Sequence, residues 1–310
     1  MKKLLTLVPI YMLFTACSLK YNMVMADTTK DSNKTKITIL DERHLVYPNN
    51  KGVPFSEISD LTYNPKTHQL YMIGDKGYFY TFEAIFKEKI QKFKYINAFK
   101  VKEKRVVKRY DIEGLTTNNK GELFLSFERS PRIAKITKKG YIYSNQKLPK
   151  ILKKRKNYVN GNKIFEALAW HPKYGLLTAS EYPLYNRPTT QQTIYGLKGK
   201  QWNFEAQAHK NNAITAIEVM DDGNLLILER AYAGLTKPFI VTLTKLYLNR
   251  CDKKQNCQSR VLTSFDSRKG WAINNYEGLA KVGKNRYIMI SDNNNKFILN
   301  TQLIYFEVNE

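Results

Sequence analysis

Apolar residues in this chain come in short runs, and several of those runs end on an acid. Leu123-Phe124-Leu125-Ser126-Phe127 is closed by Glu128, Leu176-Leu177-Thr178-Ala179-Ser180 by Glu181, and Tyr287-Ile288-Met289-Ile290-Ser291 by Asp292. Fifteen positions before each closing acid stands another, heading Glu113-Gly114-Leu115, Glu166-Ala167-Leu168 and Glu277-Gly278-Leu279. Two weaker copies keep the closing acid but carry a hydroxyl first: Ser59 with Asp75, and Thr215 with Glu229. The first positions 59, 113, 166, 215 and 277 are 54, 53, 49 and 62 residues apart. A period of about 50 residues made of short strands predicts an all-β chain folded as a single β-propeller, since helical repeats show a 3.6-residue period.

The ring closes by arithmetic. The last unit, from Glu277, has only 34 residues, and adding residues 36–58 brings it to 57. Lys36 to Tyr47 reads as an extended strand that completes the last blade and removes the open edges of a linear stack. Five four-stranded blades are expected; a sixth would have to be housed in the long fourth unit. Unit two divides at its turn residues into Glu113–Thr117, Glu122–Phe127, Arg132–Thr137 and Gly140–Gln146, and unit four into Thr215–Met220, Asn224–Leu228, Phe239–Leu246 and Ser259–Phe265. Helix is scarce, with Thr81–Gln91 the segment expected to form a turn or two. The propeller domain spans residues 36–310, behind a flexible segment at 27–35.

The N-terminus points to export. Lys2 and Lys3 precede an uncharged stretch from Leu4 to Ala16, so residues 1–26 read as a bacterial secretory signal, too short for a spanning helix. Phe14-Thr15-Ala16-Cys17 resembles a lipobox, which would make Cys17 a lipidated N-terminus; cleavage after Ala26 is the competing reading. The expected destination is the periplasm or outer membrane of a Gram-negative bacterium. The two remaining cysteines, Cys251 and Cys257, are spaced for a small disulfide-closed loop in an oxidising compartment.

Charge changes the picture in two opposite ways. The chain carries +24, and removing Lys2, Lys3 and Lys20 leaves +21. The excess is local: residues 87–109 hold ten basic and two acidic residues, and Lys153-Lys154-Arg155-Lys156 adds a second run. No nucleic-acid recognition motif accompanies these runs, so nucleic acid is not expected. A solvated surface is the plain reading, and attraction to lipid head groups or phosphorylated substrates the functional one. Against that background the repeated acids stand out. In a blade, the start of the innermost strand and the end of the second meet on one face of the disc. Glu113 with Glu128, Glu166 with Glu181 and Glu277 with Asp292, joined by Asp75 and Glu229, are therefore expected around one mouth of the channel.

Like charges this close need relief from a cation, a guanidinium or a shared proton. All eight are candidate ligands for a hard cation such as Ca²⁺, which takes six to eight oxygens; Glu113, Glu166 and Glu277 are candidate catalytic groups, and Arg129 and Arg230 candidate anion contacts. The alternative makes the acids acceptors for backbone N–H groups at repeated turns. Nucleophile-elbow, zincin, P-loop and dinucleotide motifs are absent, and His44, His68, His171 and His209 are scattered.

From Glu57 to Val308 the repeats resemble the phytase-like β-propeller family, described by esterase-like activity. The resemblance is carried by Asn275-Tyr276-Glu277-Gly278-Leu279-Ala280, Ile290-Ser291-Asp292-Asn293-Asn294 and Thr301-Gln302-Leu303-Ile304-Tyr305-Phe306, with Phe165-Glu166-Ala167-Leu168-Ala169, Ser180-Glu181-Tyr182-Pro183-Leu184 and Leu228-Glu229-Arg230 in the inner units. Ala167 stands where the family has Gly. The resemblance implies a Ca²⁺-assisted phosphoester or carboxyl-ester hydrolase acting on a small anionic or ester substrate. The alternative is a non-catalytic envelope lipoprotein that binds a ligand or a protein. A monomer is expected, with membrane attachment through the lipid anchor.

Overall fold

The computed structural model describes residues 36–50, 52–104, 110–161, 163–234, 237–269, 271, 273–294 and 301–309. Residues 1–26, where a signal is expected, Cys17 among them, and residues 27–35 lie outside the described residues. The chain forms a five-bladed propeller of antiparallel blades. Strand β1 (Ile37–Leu45) is held for the last blade. Blade one is β2 (Ile58–Asn64), β3 (Gln69–Gly74), β4 (Tyr78–Phe86) and β5 (Ile90–Lys100). Blade two is β7 (Ile112–Thr117), β8 (Leu123–Phe127), β9 (Arg132–Ile136) and β10 (Tyr141–Asn145), with the two-residue β6 (Lys102–Glu103) parallel on its outer edge. A short helix α1 (Lys150–Lys153) interrupts the connection to blade three, which is β11 (Ala167–His171), β12 (Gly175–Ala179), β13 (Gln191–Gly196) and β14 (Gln201–Glu205). Blade four is β15 (Asn212–Val219), β16 (Leu225–Tyr232), β17 (Phe239–Cys251) and β18 (Cys257–Asp266). Blade five is β19 (Asn275–Gly283), β20 (Arg286–Asp292) and β21 (Thr301–Val308).

Closure follows the arithmetic of the repeat. β1 pairs antiparallel with β21, from Ile37 opposite Val308 to Leu45 opposite Thr301, so the N-terminal strand is the outer edge of blade five. The innermost strands also pack side by side around the channel, β19 meeting β2.

Five apolar clusters lie between neighbouring blades, one at each junction. This explains why the strands read as continuous apolar runs: both faces of a blade are buried, and alternate residues feed alternate clusters. Leu70 and Met72 of β3 pack toward blade five, while Tyr71 and Ile73 pack toward blade two. The same alternation overturns the expected helix at Thr81–Gln91. That segment is the end of β4, a tight turn at Lys87 to Lys89, and the start of β5. Tyr80, Phe82 and Ala84 share one buried face at a spacing of two, and their burial at ~2 kcal/mol for each large side chain outweighs helix propensity.

The inner strands approach closely, which accounts for the glycine of the Glu-Gly-Leu repeats. A Cβ at Gly114 would lie 2.8 Å from the Leu168 Cβ of blade three, and one at Gly278 would lie 2.9 Å from the Asp60 Cα of blade one. Cys251 and Cys257 form a disulfide at the tip of the β17–β18 hairpin. That tip rests on blade three, where the Asn203 N–H donates to the Gln255 carbonyl (2.8 Å) and Trp202 Nε1 to the Leu248 carbonyl (3.2 Å).

Candidate functional site

The first acid of each repeat sits where an inner strand departs from regular pairing. Register shifts fall between Ile58 and Asp60, Ile112 and Gly114, Ile214 and Ala216, and Tyr276 and Gly278, so Ser59, Glu113, Thr215 and Glu277 are bulged residues. Glu166 immediately precedes β11, its N–H on the Ala179 carbonyl at 3.2 Å. A bulge takes one side chain out of the alternation, which frees it from the inter-blade clusters. The second strand of each blade then delivers one more residue to the same mouth: Asp75, Glu128, Glu181, Arg230 and Asp292. Asp75 and Glu128 donate their N–H groups to the carbonyls of Glu57 (3.2 Å) and Asp111 (2.9 Å), while Arg230 and Asp292 lie opposite Ala213 and Asn275.

Blade four therefore corrects the sequence reading. Glu229 is one residue short of the mouth position, and in a strand one residue is a change of face. Its fully buried carboxylate accepts from Asn212 Nδ2 (2.8 Å) and Thr244 Oγ1 (2.6 Å), away from the cavity. The residue in register is Arg230, so the outer ring holds four acids and one guanidinium.

A cavity of about 190 Å³ opens at this mouth, lined by eight carboxylates (Glu57, Asp75, Glu113, Glu128, Glu166, Glu181, Glu277 and Asp292) together with Ser59, Asn294, Lys163 and Arg230. Its two cations are committed on one side. Arg230 Nη1 is 2.7 Å from Glu277 Oε1 and Nη2 is 3.5 Å from Glu181 Oε1, with a further bond to Asn275; Lys163 Nζ binds Glu181 Oε2. Arg230 is thus a counter-charge within the ring rather than a free anion contact. Arg129 does not line the cavity, and its Nε pairs with Asp111 Oδ2 at 2.6 Å.

On the other side carboxylates face carboxylates. Asp111, Glu113 and Glu128 each bring an oxygen within 4.8 Å of the others, and so do Glu128, Glu166 and Glu181. Glu166 is 8% exposed, yet its Oε2 has no hydrogen-bond partner among the described residues, and neither has the buried Oδ1 of Asp75. Burial and mutual repulsion favour the protonated forms of Asp75, Glu113, Glu128, Glu166 and Asp292. Glu113 and Glu166 are held well above the usual carboxylate range, first by desolvation and then by neighbouring acids. Burial, then Asp111 and Glu181, raises Glu128 to about 8; burial, then Glu277, raises Asp292 to about 8; burial, then Glu57, raises Asp75 to about 6. Glu277 is also raised by burial, with Arg230 acting against it.

Sequence reasoning missed Glu57, Asp111, Lys163 and Asp60. The last lies one pleat below the mouth, 3% exposed, and ties three blades together. Its Oδ1 accepts from Leu61 (2.8 Å) and Leu279 (3.3 Å), and its Oδ2 from Leu115 (2.8 Å). The available signal was its place in Ser59-Asp60-Leu61, the counterpart of Glu113-Gly114-Leu115: a charge where the repeat has glycine.

The family model described as "Phytase-like: Esterase-like activity of phytase" matches residues 53–295. No curated protein matches the chain. Among solved structures, virginiamycin B lyase from Staphylococcus aureus is similar at 10% identity and a TM-score of 0.43, over 88% of this chain and 99% of that one. A Bacteroides thetaiotaomicron protein of unknown function is similar at 10% identity and a TM-score of 0.46, over 82% of this chain and 60% of that one. Neither likeness bears on chemistry.

Proposed function

This chain belongs to the phytase-like family, and on that footing we propose that its channel mouth binds Ca²⁺ and hydrolyses a phosphoester or carboxyl ester of a small anionic substrate. Family members often bind calcium. The observation that carries the reading is the unpartnered, buried Oε2 of Glu166 within a group of carboxylates whose oxygens converge. A buried carboxylate oxygen left without a donor costs about 1–3 kcal/mol, and a hard cation removes that cost for several acids at once. The donor set is all oxygen, as Ca²⁺ requires. Asp111, Glu113 and Glu128 would form one seat and Glu128, Glu166 and Glu181 a second, with Glu128 shared.

Bound there, the cation supplies Lewis-acid polarisation of a phosphoryl or acyl oxygen. Glu277 is oriented by Arg230 and Asn275 through its Oε1. Its raised pKa makes it the better base for taking a proton from an attacking water. Lys163 and Arg230 hold Glu181 in place through its two oxygens. A cavity of about 190 Å³ admits an ion and one reacting group; the ~300–1,000 Å³ of an ordinary ligand pocket is not available, so the rest of a substrate lies on the open face. The reading includes export, with the chain held at the envelope through Cys17.

The test is hydrolysis of phosphomonoesters, phosphodiesters and short acyl esters with and without Ca²⁺, alongside the melting temperature. The expected result is Ca²⁺-dependent turnover and a Ca²⁺-dependent rise in Tm, both lost in Glu166→Gln with Glu277→Gln. A Ca²⁺-dependent rise in Tm with no turnover on any ester turns the assignment into a cation-holding binding protein. A flat Ca²⁺ response together with strongly destabilised Gln variants overturns the cation site and makes the acids turn acceptors.

A further inference from the structure

Between Glu128 and Glu166 the chain has no acidic residue, and its connection from blade two to blade three carries Lys147, Lys150, Lys153, Lys154, Arg155 and Lys156. This arch lies on the same face as the acidic mouth. It leaves β10 at Asn145, opposite Ala134 at the end of the blade where Phe127 and Arg132 pair, and it ends at Lys163 on Glu181. Its underside is built into the protein: Leu148, Leu152, Tyr158 and Ile164 are buried in the cluster between blades two and three. The Tyr158 hydroxyl donates to the Leu152 carbonyl (2.8 Å) and Asn157 Nδ2 to the Ile151 carbonyl (2.6 Å). The outer side is exposed at all six cations, and none of the five lysines is ion-paired among the described residues. Beside them stand two exposed apolar side chains, Val159 at 60% and Tyr185 at 72%. Tyr185 is fixed against the arch by its N–H on the Asn157 carbonyl at 2.8 Å.

We propose that this arch, with Val159 and Tyr185, docks the mouth face onto an anionic phospholipid surface. The charge is complementary and uncompensated. The cations are exposed along one arch whose underside is anchored in the protein, so they can meet a broad surface together. A tyrosine and a valine projecting among lysines match the boundary between head groups and acyl chains, where aromatic side chains settle and lysines reach outward to phosphate. A nucleic acid would gain from the cations but not from Val159, and an acidic protein partner would need a matching ridge of carboxylates. Among the described residues the arch meets the acids of the mouth through Lys163 on Glu181, so docking does not depend on the cation site.

The test uses the full chain in a Cys17→Ser background, sedimented with phosphatidylglycerol-containing or pure phosphatidylcholine vesicles in EDTA, so that Ca²⁺ cannot bridge acids to lipid. Binding to the anionic vesicles and little to the neutral ones is expected, with loss at high salt. Lys150→Glu, Lys153→Glu, Lys154→Glu and Lys156→Glu together should weaken binding by on the order of a thousand-fold or more, at ~1 kcal/mol per cation. Val159→Ser with Tyr185→Ser should weaken it by roughly ten-fold, at ~0.8 kcal/mol per buried methylene. All six side chains are exposed, so an unchanged Tm accompanies these losses. Equal binding to neutral vesicles, no binding to either, or anionic binding untouched by the four reversals overturns the proposal.

Discussion

Replacing Asp292 with Asn is expected to stabilise the cation-free protein by an amount that grows with pH. Asp292 is 9% exposed, and burial, with Glu277 beside it, pushes its pKa from 3.8 to about 8. A carboxyl raised this way keeps its proton in the native state where the unfolded chain has already released it. Folding then takes up a proton, and stability falls as pH rises from the unfolded value near 4 to the native value near 8. At ~1.4 kcal/mol per pH unit, a gap of about four units sets a ceiling of roughly 6 kcal/mol. Proton sharing with Glu277 leaves roughly 2–4 kcal/mol for Asp292 alone. Asn keeps the acceptor that receives the Asn294 N–H at 2.8 Å, so the substitution removes the titration and not the turn. The assay is urea unfolding with chelator from pH 5 to pH 8. The wild type should lose stability across that range and the variant much less, the two curves separating toward pH 8. Saturating Ca²⁺ should then stabilise the wild type more than the variant. A wild type that gains stability as pH rises, or a variant that runs parallel to it, refutes the argument from burial and repulsion.

Asp60→Ala strands three buried N–H groups, those of Leu61, Leu115 and Leu279, and should cost ~3–5 kcal/mol in urea unfolding, with Asp60→Asn in between because one acceptor survives; a loss below ~1 kcal/mol would remove Asp60 as a tie between blades. Arg230→Met leaves Glu181 and Glu277 without their guanidinium and should cost ~3–5 kcal/mol with chelator present, much of it restored by Ca²⁺. A variant as stable as wild type without Ca²⁺ would show that the carboxylates are relieved by protons alone. Cys251→Ser with Cys257→Ser opens a loop of six-residue separation and should lower stability by ~2 kcal/mol. Thiol titration of the denatured, unreduced wild type should find neither cysteine free.

The architecture was legible because a propeller writes each blade as the same four apolar runs, and because Lys36 to Tyr47 was needed to complete the last one. The cysteine bridge was legible from spacing for the same local reason. What failed was position within a strand. Glu229 and Arg230 are adjacent in sequence and equally plausible as the closing charge, but a bulge at Thr215 sets the register between Ile214 and Ala216, and that decides which of them faces the channel. Type of residue pointed to the acid, while the fifteen-residue spacing pointed to the arginine. Thr81–Gln91 failed for a related reason: Lys87, Glu88 and Lys89 look like a helical surface, and only the buried face of Tyr80, Phe82 and Ala84 against blade five makes the segment a hairpin. Asp60 was hidden because its partners are backbone N–H groups, two of them in other blades, and Asp111 because Arg129 and Glu128 meet it only once β7 and β8 pair, which no local pattern records.

The distribution of charge joins the two halves of the functional reading. An anionic substrate approaching the mouth face meets the cationic arch first and is concentrated there. Further in it meets eight carboxylates against two cations that are already engaged with Glu181 and Glu277. With no cation in the mouth, Glu113, Glu128, Glu166 and Asp292 favour their protonated forms, and any that ionise repel the substrate's charge. A divalent cation reverses both effects at once, since it replaces the protons and turns the centre from repulsive to attractive. On the proposed function the order of binding is therefore set by electrostatics, cation before substrate. Arg230 belongs to the same logic. One guanidinium in the ring pairs with Glu181 and Glu277 and orients them before any cation arrives, so blade four departs from the acidic repeat where a permanent charge is needed.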